Sequence, residues 1–308
     1  MENLRHQPEQ VLPVISRALL LVNRHSRKGK DNYLEAVNCL KKLGFDLIEE
    51  STTDAKELSS LIHNYQNQVD LVIIGGGDGT LNAAVDAIVD TQLPLGILPL
   101  GTANDLARTL GIPNSLTAAC EIIASGNSRR IDLGLVNGKH FFNVASLGLS
   151  VQITQRLTKQ LKRRWGILAY AVTAIKVIWE SRPFTVEIRT KEQSILVKTV
   201  QIAVGNGRHY GGGMTVVHDA TIDDQRLDLY SLEIKHWWQI IPILPVMYQG
   251  RHTNWPGVRT LHGKEFDVYT RKPKPINTDG EITTYTPAVF RVIPQAISVF
   301  VPLENAQG

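Results

Sequence analysis

Short apolar runs alternate with amphipathic stretches over the first 125 residues, and that texture changes afterwards. Ala18-Leu19-Leu20-Leu21-Val22 is an apolar run followed by a polar turn from Asn23 to Lys30. Tyr33, Val37 and Leu40 then fall at i, i+4 and i+7, which predicts a helix that Gly44 stops. Phe45 to Glu49 reads as a second strand, and Asp54 with Glu57 as the capping box of a helix presenting Ala55, Leu58, Ile62 and Tyr65 on one face. Leu71 to Ile74 and Leu95 to Leu98 are two further apolar runs, with Leu81, Ala84, Val85 and Ile88 at helical spacing between them. Such alternation predicts a doubly wound parallel sheet covered by helices on both sides. Ligands of these sheets bind at the carboxyl ends of the strands.

Beyond Arg130, period-two alternation takes over, as in Phe184 to Arg189, Phe266 to Tyr269 and Ile297 to Val301. One helical stretch interrupts it, with Leu168, Val172, Ile175 and Trp179 aligned. The expected organisation is an α/β nucleotide-binding domain over 16–130 and a mostly antiparallel β-sandwich domain over 131–290. A last strand near 290–303 is a candidate to return to the first domain.

The 308 residues are 43% hydrophobic and 20% charged, ample material for a core, with a formal net charge of +4. That balance is too weak for nucleic acid and compatible with an anionic membrane surface or a phosphorylated ligand. Cys39 and Cys120, the only cysteines, exclude a disulfide framework and a Cys-based zinc site. The longest apolar candidate for a membrane span, Ile167 to Trp179, has thirteen residues and includes Lys176, short of the roughly 20 required. The first apolar stretch is broken by Pro13 and Arg17 and lacks signal-peptide form. The expectation is a cytoplasmic protein, peripheral at the membrane. Arg156, Lys159, Lys162, Arg163 and Arg164 before Trp165 suit anionic headgroups as well as a solvated helix face. Trp237-Trp238 with Ile240 to Val246 is either core or an apolar wall for acyl chains.

The chemistry concentrates where two apolar runs end. Leu71 to Ile74 leads into Gly75-Gly76-Gly77-Asp78-Gly79-Thr80, and Leu95 to Leu98 into Pro99-Leu100-Gly101-Thr102-Ala103-Asn104-Asp105. Glycines at a strand-to-helix turn let backbone N–H groups close on an anion, aided by the helix N-terminus. A carboxylate beside that anion needs a divalent cation between them, so the pair reads as a nucleotide-phosphate and Mg²⁺ site. No Gly-Lys-Ser/Thr follows, which excludes a Walker A loop, and Thr80 spoils a dinucleotide fingerprint.

These residues, with Leu106-Ala107, resemble the diacylglycerol kinase catalytic domain of bacterial soluble lipid kinases and sphingosine kinases. Gly205-Asn206-Gly207, Gly211-Gly212-Gly213, the acidic turn Asp219 to Asp228 and Asp279-Gly280-Glu281 match that family's later motifs in order. The resemblance implies an ATP- and Mg²⁺-dependent kinase acting on a lipid hydroxyl, diacylglycerol first among candidates. It implies phosphate contacts from Gly76, Gly77, Asp78, Gly79, Thr80, Leu81, Asn82 and Thr102, with Asn23, Ser26 and Thr52 nearby. It places Mg²⁺ at Asp224 and the carbonyls of Thr221 and Arg226, and makes Glu281 the base within a network of Asp78, Asp105 and Asp279. Two positions depart from the pattern. Arg27 and Gln225 stand where glycines are usual, so Gln225 is expected to shift the carbonyl of Arg226. The implied partners are a lipid at the membrane surface and no nucleic acid, with a homodimer left open. Two other readings stand beside this one: a soluble-metabolite kinase of the NAD kinase or phosphofructokinase type, and a non-catalytic lipid- or nucleotide-binding protein.

Overall fold

A computed structural model of the chain describes residues 16–22, 29–50, 55–156, 176–207, 209–210, 214–215, 221–234, 236–240 and 255–303. The first half alternates β1 (Arg17–Val22), α1 (Gly29–Lys42), β2 (Asp46–Glu50), α2 (Ala55–Tyr65), β3 (Leu71–Gly76), α3 (Asp78–Thr91) and β4 (Leu95–Pro99), then α4 (Asp105–Thr109) and α5 (Leu116–Ala124). β1 to β4 form a parallel sheet in the order β2-β1-β3-β4. Each residue of β3 and β4 is buried, as the continuous apolar runs require when helices cover both faces. α2 packs on α3 and α1 on α5. The chain leaves β1 toward one edge and β3 toward the other, so the crevice of this sheet opens between the carboxyl ends of β1 and β3.

The second half is antiparallel. β5 (Ser128–Val136), β6 (Lys139–Phe141), β7 (Val144–Gly148), α6 (Leu149–Arg156), β8 (Phe184–Arg189), β9 (Ser194–Thr199) and β10 (Gln201–Gly205) come first. A two-residue pair, β11 (His209–Tyr210) and β12 (Met214–Thr215), precedes β13 (Leu227–Leu232). β14 (Val258–Gly263), β15 (Glu265–Thr270), β16 (Pro275–Thr278), β17 (Glu281–Tyr285) and β18 (Ala288–Phe300) complete the chain. One sheet runs β14-β13-β10-β7-β16-β17, and it faces β18, β15, β8 and β9 across a core that includes Phe141, Leu147, Ile202, Leu229, Phe266, Ile276 and Phe290. The fold is an α/β parallel-sheet domain joined to an antiparallel β-sandwich.

β18 ties the two together. Its pairing with β5 is interrupted between Ile293 and Ile297, and beyond that bulge Val299 meets Leu95 of β4 in parallel. Ala288, Phe290 and Val292 pack in the sandwich core, whereas Ala296, Ile297 and Val299 pack in the core of the parallel sheet. The buried carboxylate of Asp132 on β5 holds the bulge by accepting the Gln295 N–H at 2.7 Å. The predicted face of the helical stretch after residue 167 differs in part. Residues 176–180 are helical, but Val177 and Ile178 are buried and Trp179 is 67% exposed, because the sandwich receives the neighbouring side of that turn. Leu168, Val172 and Ile175 lie outside the described residues, as do Lys159 to Trp165. Trp238 is also exposed and stacks on His236 at 4.3 Å, while Ile240 is buried. No described helix is long and apolar enough to cross a membrane.

Candidate active site

The glycine turn after β3 is shaped by contacts that only glycine permits. A Cβ on Gly76 would stand 2.6 Å from Thr80, and one on Gly77 would stand 3.1 Å from the Gly101 Cα. The turns after β3 and β4 are therefore packed backbone against backbone. Gly77 is the N-cap of α3 in extended conformation and, having no side chain, makes no cap hydrogen bond to the first N–H groups of the helix. That is the arrangement in which a helix start takes an anion. Gly77 O accepts the N–H groups of Thr80 at 2.9 Å and Leu81 at 3.2 Å, so these two residues shape the turn. The Leu81 side chain is buried in the core.

Asn104 shapes the second turn. It is buried, adopts a left-handed φ of 50° and starts α4. Its Oδ1 accepts the Gly101 N–H at 2.9 Å, and its Nδ2 donates to Pro99 O and Gly101 O, each at 3.2 Å. Thr102 is thereby left exposed at the tip. Asp78 joins the two turns, since its Oδ1 accepts the Leu106 N–H at 3.1 Å beside the buried Asp105.

From the sandwich comes the third part. Asp279 and Gly280 have φ values of 47° and 101°, the two positive angles of a tight hairpin turn, which Asp-Gly suits. The Asp279 carboxylate accepts N–H groups from Phe142 at 2.7 Å and from Asn143 and Val144 at 3.0 Å each. Asn277 Oδ1 accepts the Gly280 N–H at 2.8 Å. The turn thus held points Glu281 at the glycine loop: its Oε1 lies 3.7 Å from where a Cβ on Gly79 would stand. Asp78, Gly79, Asp279 and Glu281, distant in sequence, share one cleft.

Burial pushes the Asp279 carboxyl up to about 6, against the three backbone N–H groups, with a smaller like-charge push from Asp78. Because the fold raises this pKa above its unfolded value of about 3.9, it favours the protonated form. The stability so gained is complete below about pH 4 and is lost as pH rises through about 6. Yet the charged carboxylate accepts the three N–H bonds more strongly than the neutral acid does and so holds the hairpin more firmly. Activity is therefore expected to climb from pH 5 to pH 7 with an apparent pKa of about 6 while stability to urea declines, and paired rate and unfolding profiles check this.

The acidic turn lies elsewhere on the same framework. Asp224 accepts N–H groups of Thr221 at 3.4 Å and Arg226 at 3.1 Å, and burial raises its pKa. Gln225 takes a φ of 58°, so the turn keeps the left-handed geometry of a glycine at a strain of roughly 1–2 kcal/mol. Its N–H donates to Asp132 Oδ2 at 2.6 Å, and Ile222 is buried in the parallel-sheet core. A carboxylate with backbone carbonyls is a donor set of the hard kind that Mg²⁺ takes. Arg226 Nε, however, stands 3.2 Å from Asp224 and 3.3 Å from Asp228, so an ion there would have to displace it. Among the described residues, no three His, Cys, Asp or Glu side chains gather as a metal site. At the glycine loop, Asn82 Oδ1 is buried without a partner, a loose end that fits a bound polar group.

The candidate residues Asn23, Ser26 and Thr52 lie outside the described residues, as does Arg27. Sequence reasoning passed over Asp132, Asn143 and Asn277. Only Asp132 carried a signal, as a carboxylate inside the apolar run of β5.

Residues 17–136 match the model of the diacylglycerol kinase catalytic domain, and residues 143–301 that of the YegS C-terminal NAD kinase beta sandwich-like domain. A diacylglycerol kinase of Staphylococcus saprophyticus is 29% identical over 297 residues, covering 93% of this chain and 95% of its own. One of Bacillus subtilis is 27% identical over 299 residues, covering 95% and 99%. In fold, the chain matches the crystal structure of a Bacillus anthracis diacylglycerol kinase with a TM-score of 0.75 at 22% identity, over 94% of this chain and 98% of that one. Two family models in tandem, together spanning most of the chain, show that it belongs to the diacylglycerol kinase family.

Proposed function

We propose that this protein transfers the γ-phosphate of ATP to a lipid hydroxyl, with diacylglycerol as the acceptor. The observation that carries the reading is Glu281 Oε1 standing over Gly79, which sets a carboxylate base against an anion-binding helix start. The soluble-metabolite alternative shares Gly-Gly-Asp-Gly, but the stretch Pro99 to Ala107 resembles the lipid enzymes, as do the relatives' names.

Bound ATP with Mg²⁺ would supply the phosphoryl group and most of the charge neutralisation. The turn Gly76 to Asn82, with Thr102, would hold the phosphates, the N–H groups of Gly77 to Gly79 at the start of α3 facing them while those of Thr80 and Leu81 brace the turn on Gly77 O. The resemblance adds Asn23, Ser26 and Thr52, which lie outside the described residues, to the candidate phosphate contacts. Asp78 and Asp105 would stand beside the divalent cation that lets carboxylates and phosphates coexist, and Asp224 with the carbonyls of Thr221 and Arg226 would be the candidate holders of a further ion. Glu281 accepts the proton of the lipid hydroxyl as that oxygen attacks. Asp279 anchors the hairpin through its three N–H bonds. A lipid acceptor places the reaction at the cytoplasmic membrane surface, reached by peripheral contact.

The test offers γ-labelled ATP and Mg²⁺ with vesicles of diacylglycerol, sphingoid base, ceramide or phosphatidylglycerol, and separately with NAD. Label should appear on diacylglycerol and vanish with Asp78→Ala, which removes the carboxylate joining the two turns. Label on NAD would support the soluble-metabolite kinase. ATP binding without turnover on any acceptor would leave a binding protein.

A further inference from the structure

Two buried asparagines grip the turn that carries Glu281, one from each side. Asn277, 5% exposed, gives Oδ1 to the Gly280 N–H at 2.8 Å. A backbone N–H can only donate, so the amide oxygen must face it and the amide nitrogen must face away. That nitrogen is buried without a partner. Asn206, 3% exposed, donates Nδ2 to Asp132 O at 3.0 Å and to Phe142 O at 2.8 Å. Two carbonyl acceptors fix its orientation as well, and its Oδ1 is buried without a partner.

Unpartnered buried polar atoms destabilise a fold, and each asks for an explanation. The other end of Asn277 bonds the hairpin directly, and the other end of Asn206 bonds the 142–144 segment on which the hairpin is anchored. Phe142 is held through its carbonyl by Asn206, while its N–H and those of Asn143 and Val144 hold the Asp279 carboxylate. Asn206 N–H also donates to Asn143 O at 2.9 Å, and the Thr109 hydroxyl of α4 donates to Asn143 Oδ1 at 3.3 Å. One jaw therefore runs from Asn206 through the 142–144 backbone to Asp279. The other runs from Asn277 to Gly280. Between them sits the peptide that leads into Glu281. The pairing of β16 with β17 is irregular between Ile276 and Asn277, so the strand ladder alone does not set the aim of this turn.

We propose that Asn206 and Asn277 are positioning residues that hold Glu281 over the glycine loop, acting through Asp279 and Gly280. The proposal rests on the kinase reading, and its test separates the two. Asn277→Ala and Asn206→Ala should each lower kcat for lipid phosphorylation about 10²-fold, the loss that a misplacement near 1 Å brings, and leave KM for ATP unchanged. An unchanged kcat, or a KM for ATP that rises in step with the loss, would overturn it. Amide hydrogen exchange provides a readout that needs no turnover. In the free protein, exchange should quicken at Gly280 for Asn277→Ala and at Phe142, Asn143 and Val144 for Asn206→Ala, while β10 and β13 keep their protection. Unchanged exchange at those amides sinks the clamp even if the enzyme proves inactive on lipids. Absent turnover with quickened exchange would instead count against the kinase reading. Should an alanine variant fail to fold, Asn277→Leu and Asn206→Leu, close in shape to asparagine but without hydrogen-bonding groups, carry the same predictions.

Discussion

Glutamine at position 281 is expected to lower kcat about 10²–10⁴-fold with little change in KM for ATP, the loss that follows removal of a general base. Glutamine keeps the size and most of the hydrogen bonding of glutamate but cannot take a proton. Glu281 is exposed and lies one residue beyond a turn that Asp279 and Asn277 hold, so the substitution leaves that anchorage in place. Exposed substitutions of this kind change stability within about 0.5 kcal/mol, so a thermal melt should not move appreciably. Steady-state kinetics against ATP and lipid check the split. A raised KM for ATP at unchanged kcat would mean that Glu281 binds nucleotide and is not the base.

The second large effect belongs to Gly101. An alanine there would put its Cβ 2.5 Å from the Gly77 Cα and 2.6 Å from Asn104 Oδ1. Neither neighbour can yield cheaply, because one is backbone and the other is held by the bonds that shape the turn. The two turns would have to separate, at roughly 1–3 kcal/mol for the overpacking. Nucleotide affinity should fall by more than it does for Gly79→Ala, whose Cβ would meet only Glu281 Oε1 at 3.7 Å. Calorimetric titration with ATP, paired with urea unfolding, distinguishes them. Gly101→Ala should lose both affinity and stability, and Gly79→Ala should keep its stability. Equal behaviour of the two variants would mean that the close approach of the turns is not what forms the phosphate site.

What the sequence made legible was local. The apolar runs over 18–22, 71–74 and 95–98 appear as β1, β3 and β4 within a residue or two, because strands buried on both faces show as continuous runs. The helices with Leu58 and Ile62, or Leu81 and Val85, were equally plain from their 3.6-residue period. The glycine turns announced a close approach of backbone to backbone because so few other residues tolerate those contacts. The long-range organisation was less legible. That Ala288 to Val292 would pack in one core and Ala296 to Val299 in another depends on a bulge held by Asp132, some 160 residues earlier in the chain. Trp179 looked like part of a buried face, yet whether an aromatic faces inward is decided by the element opposite it, and here Val177 and Ile178 take that place. The grip of Asn206 and Asn277 on the hairpin was invisible for the same reason. Asparagine in a strand end or turn is unremarked until the carbonyls it meets are known.

The distance between Glu281 and a bound γ-phosphate tests the account most directly. A crystal of the protein with Mg²⁺ and a non-hydrolysable ATP analogue should show the triphosphate at the start of α3, in contact with the N–H groups of Gly77 to Gly79. The Glu281 carboxylate should then face the γ-phosphorus with room for a single hydroxyl between them, about 3 Å from each. A triphosphate lying away from the glycine turns, or a Glu281 carboxylate turned out of the cleft with the phosphate in place, would contradict it.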